Sequence, residues 1–379
     1  MTRPRRLLII AGEHSGDAHA ARVLRAMKAR MPDLEVRGFG GDRLAAEGME
    51  VREHVRELSV MGIWEVLKRY GYFRRVFHAL VAEARSWRPD AVLMVDYPGF
   101  NLRFAKAVKD DPFPVAQYIC PQVWAWKKSR IPNMAKVLDR LICIFPFEPA
   151  LFEGTGLDAR YCGHPMVDET ERVEADPDWG DGRKLALVPG SRKQEIDRLF
   201  LPMLETAERV RRAYSDLRVR VPAADADLAE RMRTLLASRP DLTPPEIVEG
   251  RMRELVKGAD AALVTSGTAT LETALLGTPM LIVYKTSALT YAVGKRVVKV
   301  PHIGMVNLVA EREVCPEFIQ DAAEPGAMAE ALAPLMGETP ERARMIEGLR
   351  EVRERLVSDE GGQKVAEAVL ELMEKEEPA

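Results

Sequence analysis

The sequence has 379 residues, of which 47% are apolar and 30% are charged, and its formal net charge at pH 7 is −3. A chain of this length can form two domains of ordinary size, each with its own hydrophobic core. The near balance of charge excludes a generally basic nucleic-acid binder, and we expect no nucleic-acid partner.

The cysteines and the N-terminal residues indicate the compartment. The four cysteines lie far apart with no CxxC pair, which fits neither a zinc knuckle nor a disulfide framework and favours a reducing environment. Residues 1–6 are basic, and the apolar run Leu7–Ile10 is too short for a signal peptide. No apolar run reaches the length of a membrane-spanning helix. We therefore expect a cytoplasmic protein, which can still bind a membrane surface.

In chain order, short apolar runs alternate with longer amphipathic stretches. The first half contains five candidate strands, at Leu7–Ala11, Glu35–Phe39, Ala91–Asp96, Val115–Ile119 and Leu141–Phe145. The second half contains four, at Leu185–Val188, Arg218–Pro222, Ala261–Thr265 and Pro279–Tyr284. Helical periodicity is clearest at Ala18–Arg30, Tyr72–Arg88 and Leu199–Tyr214. This alternation predicts an α/β protein with doubly wound parallel sheets.

A change in composition divides the two halves. Gly163-His164-Pro165 is followed by an acidic stretch without periodicity, Glu169–Gly182, which is typical of an interdomain linker. We predict Rossmann-like domains over residues 1–168 and 183–345, and a C-terminal helix at about 349–375 that packs on the first domain. Such domains leave a cleft at the carboxyl ends of their strands, where ligands usually bind.

The loop after the first strand contains Gly12, Ser15, Gly16 and Asp17, just before a predicted helix. Glycines let a ligand approach the backbone, and a helix N-terminus favours anionic or polar groups. Alternatively, Ser15 or Asp17 only caps the helix. The loop lacks the GxGxxG pattern of a dinucleotide site.

Two further loops of the first half carry candidate groups. Asp96 ends a buried strand and can accept a proton from an attacking hydroxyl, while Asn101 can orient the substrate. The alternative for Asp96 is a structural cap of the turn before Pro98. Trp124 and Trp126 precede a basic cluster, and such residues can hold a sugar ring and a phosphate. The pair can equally anchor a loop on the core.

The second half has two loops that resemble anion sites. Ser191 and Arg192 follow a strand, and Ser191 has capping-box spacing to Gln194, which predicts a helix start near Lys193. A glycine loop and a guanidinium there suit a diphosphate. The other loop combines small and hydroxyl residues with a carboxylate that can accept from ribose hydroxyls, at Ser266, Gly267, Thr268 and Glu272.

An apolar stretch bordered by arginines suits an acyl-chain or membrane surface. Its residues are Val60, Met61, Ile63, Trp64, Arg74 and Arg75. The alternative is an ordinary amphipathic helix with one face in the core. The six histidines are dispersed, with no HxxxH pair, so the sequence does not indicate a metal site.

Taken together, the motifs resemble the lipid-A-disaccharide synthase family of GT-B glycosyltransferases. The resemblance covers nearly the whole chain, through AGEHSGD, ELSVMGIWEVL, DYPGFN, CPQVWAWK, FPFE, GHPMVD, PGSRKQEI, SGTATLE and VNLVAER. It implies inverting transfer of 2,3-diacylglucosamine from its UDP donor to the 6-hydroxyl of 2,3-diacylglucosamine 1-phosphate (lipid X), which releases UDP.

The resemblance also implies roles for individual residues. Asp96 occupies the family's proposed base position, and Glu272 would hold the nucleoside. The other donor-site residues would be Ser191, Arg192, Ser266, Gly267, Thr268, Asn307 and Arg312. The acceptor side would include Gly12, Ser15, Gly16, Asp17, Asn101, Trp124 and Trp126. No metal or other cofactor is expected.

Because both substrates carry acyl chains, the resemblance favours the membrane interpretation of the stretch that contains Arg74 and Arg75. We expect peripheral association with the cytoplasmic surface of the inner membrane, and the resemblance allows a homodimer. Two departures stand in the motifs. His14 replaces Ala or Pro, and Gly99 replaces a second Asp of some members, which favours Asp96 as the base.

Two other classes of function remain open. One is another UDP-sugar GT-B enzyme, such as an epimerase or the peptidoglycan transferase. The other is a non-catalytic adaptor that binds UDP or a phospholipid.

Overall fold

The computed structural model describes residues 3–58, 69–288, 290–292, 300–357 and 361–374. The chain forms two compact units. Unit 1 comprises Met1–Pro165 together with Ser358–Ala379, and unit 2 comprises Met166–Val357. Each unit is an α/β structure with one parallel sheet and helices around it.

Unit 1 contains a seven-stranded sheet with the order β3-β2-β1-β4-β5-β6-β7, and all of its pairings are parallel. Its strands are β1 (Arg6–Ala11), β2 (Glu35–Gly40), β3 (Glu50–His54), β4 (Ala91–Val95), β5 (Val115–Tyr118), β6 (Arg140–Cys143) and β7 (Asp158–Tyr161). Its described helices are α1 (His14–Arg30), α2 (Asp42–Ala46), α3 (Val55–Leu58), α4 (Tyr70–Trp87), α5 (Pro98–Val108), α6 (Ile131–Met134) and, at the C-terminus, α15 (Gly361–Glu374). Short 3-10 turns lie at Lys128–Arg130 and Pro149–Phe152.

Unit 2 contains a six-stranded sheet with the order β10-β9-β8-β11-β12-β13, also parallel throughout. Its strands are β8 (Lys184–Val188), β9 (Arg218–Ala223), β10 (Glu246–Glu249), β11 (Ala261–Thr265), β12 (Met280–Tyr284) and β13 (Glu317–Ile319). Its described helices are α7 (Met166–Glu171), α8 (Lys193–Arg211), α9 (Ala226–Ala237), α10 (Met252–Lys257), α11 (Thr268–Leu275), α12 (Met305–Ala310), α13 (Pro325–Leu332) and α14 (Pro340–Leu356). Short 3-10 turns lie at Pro177–Trp179, Gln320–Ala322 and Ala333–Met336.

The predicted α/β class is confirmed, and all nine predicted strands are present. These nine are the inner strands, which helices cover on both faces, so that β1, β4 and β11 have five consecutive buried residues each. Four strands were not predicted: β3, β7, β10 and β13. They are the outermost strands of the two sheets and are only partly buried, so they lack a continuous apolar run.

The predicted linker Glu169–Gly182 is wrong, because this stretch is packed into unit 2. Trp179 is buried, and its Nε1 donates to the carbonyl of Leu255 at 2.9 Å. The buried carboxylate of Asp176 forms ion pairs with Arg220 at 3.1 Å and Arg251 at 3.2 Å. Only its first three residues belong to a helix, the end of α7, and Pro177–Trp179 form a 3-10 turn, so the segment packs mainly through these two side chains.

The single helix predicted at about 349–375 is also wrong. The structure has two helices there: α14 belongs to unit 2 and α15 to unit 1. Val357, which follows α14, has an extended backbone, and the pair Gly361-Gly362 disfavours a continuous helix. On unit 1, α15 packs against α1. The fully buried Arg140 donates hydrogen bonds to the carbonyl of Ala368 and to the carboxylate of Glu371, both in α15. In the part of the chain that the structure describes, no helix is long and apolar enough to cross a bilayer.

Candidate active site

The candidate loops of unit 1 follow neighbouring strands. β4 lies between β1 and β5, with Ala11 opposite Val95 and Val95 opposite Tyr118. Because all three strands are parallel, the loops at Gly12, Asp96 and Cys120 leave the sheet at one edge. The strand order reverses between β1 and β4, which is the position where open α/β sheets usually bind ligands.

Asp96 is held by its backbone. Asp96 and Tyr97 both have left-handed conformations, with φ of 49° and 46°, which non-glycine residues rarely adopt. Two fully buried amides donate to the Asp96 carbonyl: Asn101 Nδ2 at 2.7 Å and Gln117 Nε2 at 3.0 Å. Pro98 follows as the first residue of α5. This arrangement fixes the direction of the Asp96 side chain.

The Asn101 amide is therefore used on the backbone of Asp96. The sequence predicted that it orients the substrate, but its side chain is fully buried and is used on the Asp96 carbonyl. The electrostatics of Asp96 suit proton transfer. Burial raises the pKa of Asp96 above its ordinary value, and a hydrogen bond from the Tyr97 backbone opposes this shift.

The Gly12–Asp17 loop begins its helix earlier than predicted. α1 starts at His14, so Ser15, Gly16 and Asp17 lie in its first turn. A Cβ on Gly12 would lie 2.4 Å from the Tyr97 ring, so glycine is required there by close approach. Ser15 is exposed at the helix start, whereas Gly16 is buried against β4.

Asp17 has a structural role that the sequence did not predict. Its carboxylate accepts from the N–H groups of Gly41 at 2.6 Å and of Arg43 and Leu44 at 3.2 Å each. These groups begin α2, so Asp17 caps a helix other than its own. The carboxylate is buried.

The two tryptophans separate into two roles. Trp124 packs edge-on against Phe145 and Phe147, with ring centroids 6.4 and 5.6 Å away, and anchors its loop on unit 1. Trp126 is 49% exposed, and Lys127 Nζ lies 3.9 Å from the centroid of its ring. Trp126 is therefore the exposed ring of the two, and Lys127 covers one of its faces.

A buried cluster joins residues that lie far apart in the sequence. Side-chain ligand atoms of Cys120, Cys143 and Glu148 lie within 4.8 Å of one another. Glu148 accepts from the N–H groups of Ile144 and Phe145 at 3.1 Å each. Burial raises the pKa of Glu148 to about 7. The two backbone donors and the nearby side chains of Trp124 and Cys120 lower the pKa and so oppose this shift. The other carboxylate oxygen of Glu148, Oε1, is buried without a hydrogen-bond partner in the described part of the chain. That the protein needs no metal stays a prediction. Among the described residues, these three side chains are the group that could hold a metal ion.

The first candidate loop of unit 2 follows β8. Glu195, in the first turn of α8, accepts from the N–H groups of Ser191 at 3.1 Å and Arg192 at 3.2 Å. The predicted capping pair of Ser191 and Gln194 is therefore wrong, because Arg192 is the N-cap and Glu195 closes the loop. Gly190 has φ of 116°, and a Cβ there would lie 2.3 Å from the Glu195 carboxylate. The Arg192 side chain is 81% exposed and pairs with Glu195 at 2.9 Å.

The second loop of unit 2 follows β11, the strand next to β8, at the position where the strand order reverses. Gly267 and Thr268 are exposed at the start of α11, whereas the Ser266 hydroxyl donates to the Ile303 carbonyl at 3.1 Å. Glu272 lies one turn into α11 and accepts from Arg253 Nε at 2.7 Å. Arg253 also binds Glu169 at 2.9 Å, so it joins two carboxylates.

Asn307 and Arg312 differ in availability. The buried Asn307 side chain donates to Cys315 and Glu317 at 2.7 and 2.9 Å and accepts from the N–H groups of Val314 and Cys315 at 2.8 and 2.9 Å. It therefore holds its own segment together and has no spare donor for a ligand. Arg312 is half exposed and pairs with Glu351 at 2.5 Å.

The predicted acyl surface falls mainly outside the described residues. Val60, Met61, Ile63 and Trp64 lie in the part of the chain that the structure does not describe. Arg74 and Arg75 are exposed on α4. Their neighbours Tyr72 and Phe73 pack against the core of unit 1, so this part of the stretch is an amphipathic helix with an arginine-bearing outer face.

Comparisons of the sequence with known proteins identify the family of this chain. The family model for lipid-A-disaccharide synthetase matches residues 7–369. The lipid-A-disaccharide synthase of Myxococcus xanthus is 40% identical over 380 residues, which cover 98% of this chain and 99% of that protein. The chain belongs to the lipid-A-disaccharide synthase family.

Solved structures agree on the fold. A glycosyltransferase from Rickettsia africae superposes with a TM-score of 0.60 at 13% identity, over 99% of this chain and 100% of that one. A UDP-GlcNAc 2-epimerase from Neisseria meningitidis bound to UDP-GlcNAc gives 0.59 at 13% identity, over 98% and 100%. The fold is GT-B, and members of the lipid-A-disaccharide synthase family are glycosyltransferases, so the chain is an enzyme.

Sequence reasoning missed two residues that lie beside the candidate side chains. Glu13 precedes α1 beside Asp96, and Arg253 binds Glu272. Glu13 stands inside the GEHSGD motif, so its position was a signal that could have been used. Arg253 is 19 residues from Glu272 and follows an unpredicted edge strand, so nothing local indicated it.

Proposed function

We propose that the chain transfers 2,3-diacylglucosamine from UDP to the 6-hydroxyl of 2,3-diacylglucosamine 1-phosphate (lipid X), with inversion at the anomeric carbon. The observation that carries the proposal is Asp96, a partly buried carboxyl held at the edge of the sheet by a left-handed backbone and two buried amides. Family membership supplies the substrates.

In this mechanism Asp96 accepts the proton of the 6-hydroxyl as its oxygen attacks the anomeric carbon. The bond from that carbon to the UDP oxygen breaks, and UDP leaves with the electron pair. One direct displacement inverts the configuration and requires no covalent nucleophile. The raised pKa of Asp96 favours proton uptake at the moment of attack.

Unit 2 would bind the departing UDP. Arg192 is exposed and has only Glu195 as a described partner, so it can turn to a diphosphate. Gly267 and Thr268 stand at the start of α11, where backbone N–H groups favour anions. The N–H of Ser191 now bonds to Glu195 and would exchange that carboxylate for the diphosphate. Ser266 and Asn307 support this loop region, Arg312 adds a cation, and Glu272 accepts from ribose hydroxyls. With this neutralisation the reaction needs no resident metal.

Unit 1 would bind the acceptor and the bilayer. The start of α1 at Ser15 and the exposed face of Trp126 suit its phosphate and sugar. Arg74 and Arg75 would face the anionic inner surface of the inner membrane. A homodimer is compatible with this arrangement.

The direct experiment incubates the protein with both acylated substrates and analyses the products by mass spectrometry. The expected products are a disaccharide 1-phosphate and UDP. Hydrolysis or epimerisation of the donor alone would refute the proposal. Asp96→Ala separates an adaptor from an enzyme, because an adaptor would be unaffected by the change.

The membrane part has its own test. Replacement of Arg74 and Arg75 by Glu should weaken binding to anionic vesicles about 30-fold, since each of the two basic residues near such a surface contributes about 1 kcal/mol. Arg103→Glu, an exposed position on α5, is the control for a general change of charge. Unchanged vesicle binding and unchanged activity on micellar substrate would refute this part.

A further inference from the structure

Glu13 is a carboxylate without an assigned role. It occupies the N-cap position of α1, but its side chain does not cap the helix. No hydrogen bond or ion pair to its carboxylate is found within the part of the chain that the structure describes. A helix start normally uses its cap residue on free backbone N–H groups, so this residue is not explained by the stability of α1.

The sheet register brings Glu13 beside Asp96. β1 and β4 are adjacent and parallel, with Ala11 opposite Val95, so Glu13 and Asp96 follow their strands at the same edge. Next to Glu13 in the chain, Gly12 lies against the ring of Tyr97, 2.4 Å from where a Cβ would stand. Glu13 is exposed at the start of α1, and the charge of Asp96 adds to burial in raising the pKa of Glu13.

The other groups around the two carboxylates do not neutralise them. Asn101 and Gln117 beneath Asp96 are neutral amides, and Tyr97 is a phenol whose pKa is raised by burial and by the charge of Glu13. Asp17, one turn into α1, is turned to the start of α2, and His14 is exposed to solvent. Among the described groups that shift the pKa of Glu13 or Asp96 there is no lysine or arginine.

We propose that Glu13 and Asp96 act as one carboxylate pair, in which repulsion between the two charges is relieved when Asp96 takes the proton of the acceptor hydroxyl. The proposal rests on Asp96 as the base of the proposed function. The hydroxyl proton moves to Asp96, the oxygen forms the glycosidic bond, and UDP leaves with its electron pair. The pair then carries one proton, which is released to solvent after the product leaves.

This role changes the rate because it acts more on the transition state than on the ground state. Two adjacent carboxylates bind one proton more tightly than either would alone. The gain appears only as the proton arrives, which is the condition for an interaction to accelerate the chemical step. Glu13 acts through Asp96 and need not touch the substrates.

The test is the pH profile of kcat/KM for Glu13→Gln, with Glu13→Asp as the conservative variant. Glu13→Gln should lower the plateau about tenfold and move the acidic limb to lower pH, because the pair no longer takes up a proton early. Glu13→Asp should keep the position of the limb near that of the wild type. Glu153→Gln, an exposed acid on the same unit, is the control and should change neither.

Two outcomes overturn the pair. One is a Glu13→Gln profile that overlays the wild type, and the other is a lower plateau with an unmoved limb, which indicates a structural role. Asp96→Asn separates this result from the proposed function. If Asp96→Asn is inactive while Glu13→Gln is normal, Asp96 remains the proposed base and only the role of Glu13 is refuted. If Asp96→Asn is fully active, both are wrong.

Discussion

Asp96 in unit 1 and Arg192 in unit 2 each follow a strand at the point where the order of its sheet reverses, yet their surroundings differ. Asp96 is partly buried, and its backbone is fixed by Asn101 and Gln117. The Arg192 side chain is 81% exposed, and among the described residues only Glu195, three positions along the same helix start, holds it.

This difference matches the two functions proposed for these residues, proton transfer for Asp96 and diphosphate binding for Arg192. A base must meet its proton within a few tenths of an ångström, so its direction has to be set before the substrate arrives. A cation that binds a diphosphate can exchange one anionic partner for another, and an exposed ion pair costs little to break. We therefore expect substitutions in unit 1 to act on kcat and those in unit 2 to act on binding of the donor.

The largest effect is expected for Asp96→Asn, which keeps the shape of the side chain and removes the base. The rate should fall by about 10²- to 10⁴-fold, the usual contribution of a general base. Steady-state assays of UDP release measure it. In the wild type, activity should decline on acidification through a pKa above the ordinary aspartate value, because protonated Asp96 cannot accept the proton. A rate within twofold of the wild type would contradict the expectation that substitutions in unit 1 act on kcat.

Arg192→Ala should have the next largest effect. Loss of charged hydrogen bonds to the diphosphate, worth about 1.5–3 kcal/mol, should lower kcat/KM for the donor about 10- to 100-fold. The control is Arg212→Ala, which removes an exposed arginine at the far end of the same helix α8. Equal effects of the two variants would show that net charge matters rather than the loop.

Asn101→Ala tests whether a fixed backbone matters for the base. It removes one of the two amide donors to the Asp96 carbonyl, and we expect kcat to fall about tenfold with KM for the donor unchanged. The free energy of unfolding should fall by about 0.5–1.5 kcal/mol, because one hydrogen bond to the Asp96 carbonyl is lost while Gln117 still donates to it. An unchanged kcat in a destabilised protein would assign Asn101 to stability alone.

Glu148→Gln should have the smallest effect on the rate and a clear effect on stability. The pKa of Glu148 is about 7 in the folded state and ordinary in the unfolded state, so the carboxyl favours folding while it is protonated. In the wild type this contribution is lost as pH rises from about 5 to 8, at most about 3 kcal/mol. Urea unfolding at the two pH values, followed by tryptophan fluorescence, should show a smaller fall in Glu148→Gln.

The control for that measurement is Glu153→Gln, which lies five residues away and is exposed. It should keep the wild-type dependence on pH. If the Glu148→Gln and wild-type curves are parallel, the carboxyl is already ionised in the folded protein at neutral pH.

The parts of the fold that were predicted share one physical property. Strands such as β1 and β11 are covered on both faces, so burial requires an unbroken apolar run that can be read directly. The four missed strands are at the edges, where partly exposed positions admit polar residues. Trp179 shows the converse, because one buried side chain packed a stretch whose composition indicated a linker.

The site divides in a similar way. Asp96 and Arg192 stand at the ends of predicted strands, and local sequence was enough to propose them. The partners of the candidate residues are distant in sequence: Asp17 caps a helix more than 20 residues away, and Arg253 reaches Glu272 across 19 residues. Such pairings depend on how the strands are ordered in the sheet, which no local pattern determines.

Calorimetric titration with UDP shows whether unit 1 supplies the base while unit 2 holds the UDP group. Asp96→Asn should bind UDP with the wild-type Kd although it is inactive. Arg192→Ala should bind UDP at least tenfold more weakly. Loss of UDP binding in Asp96→Asn, or wild-type binding in Arg192→Ala, would contradict the account.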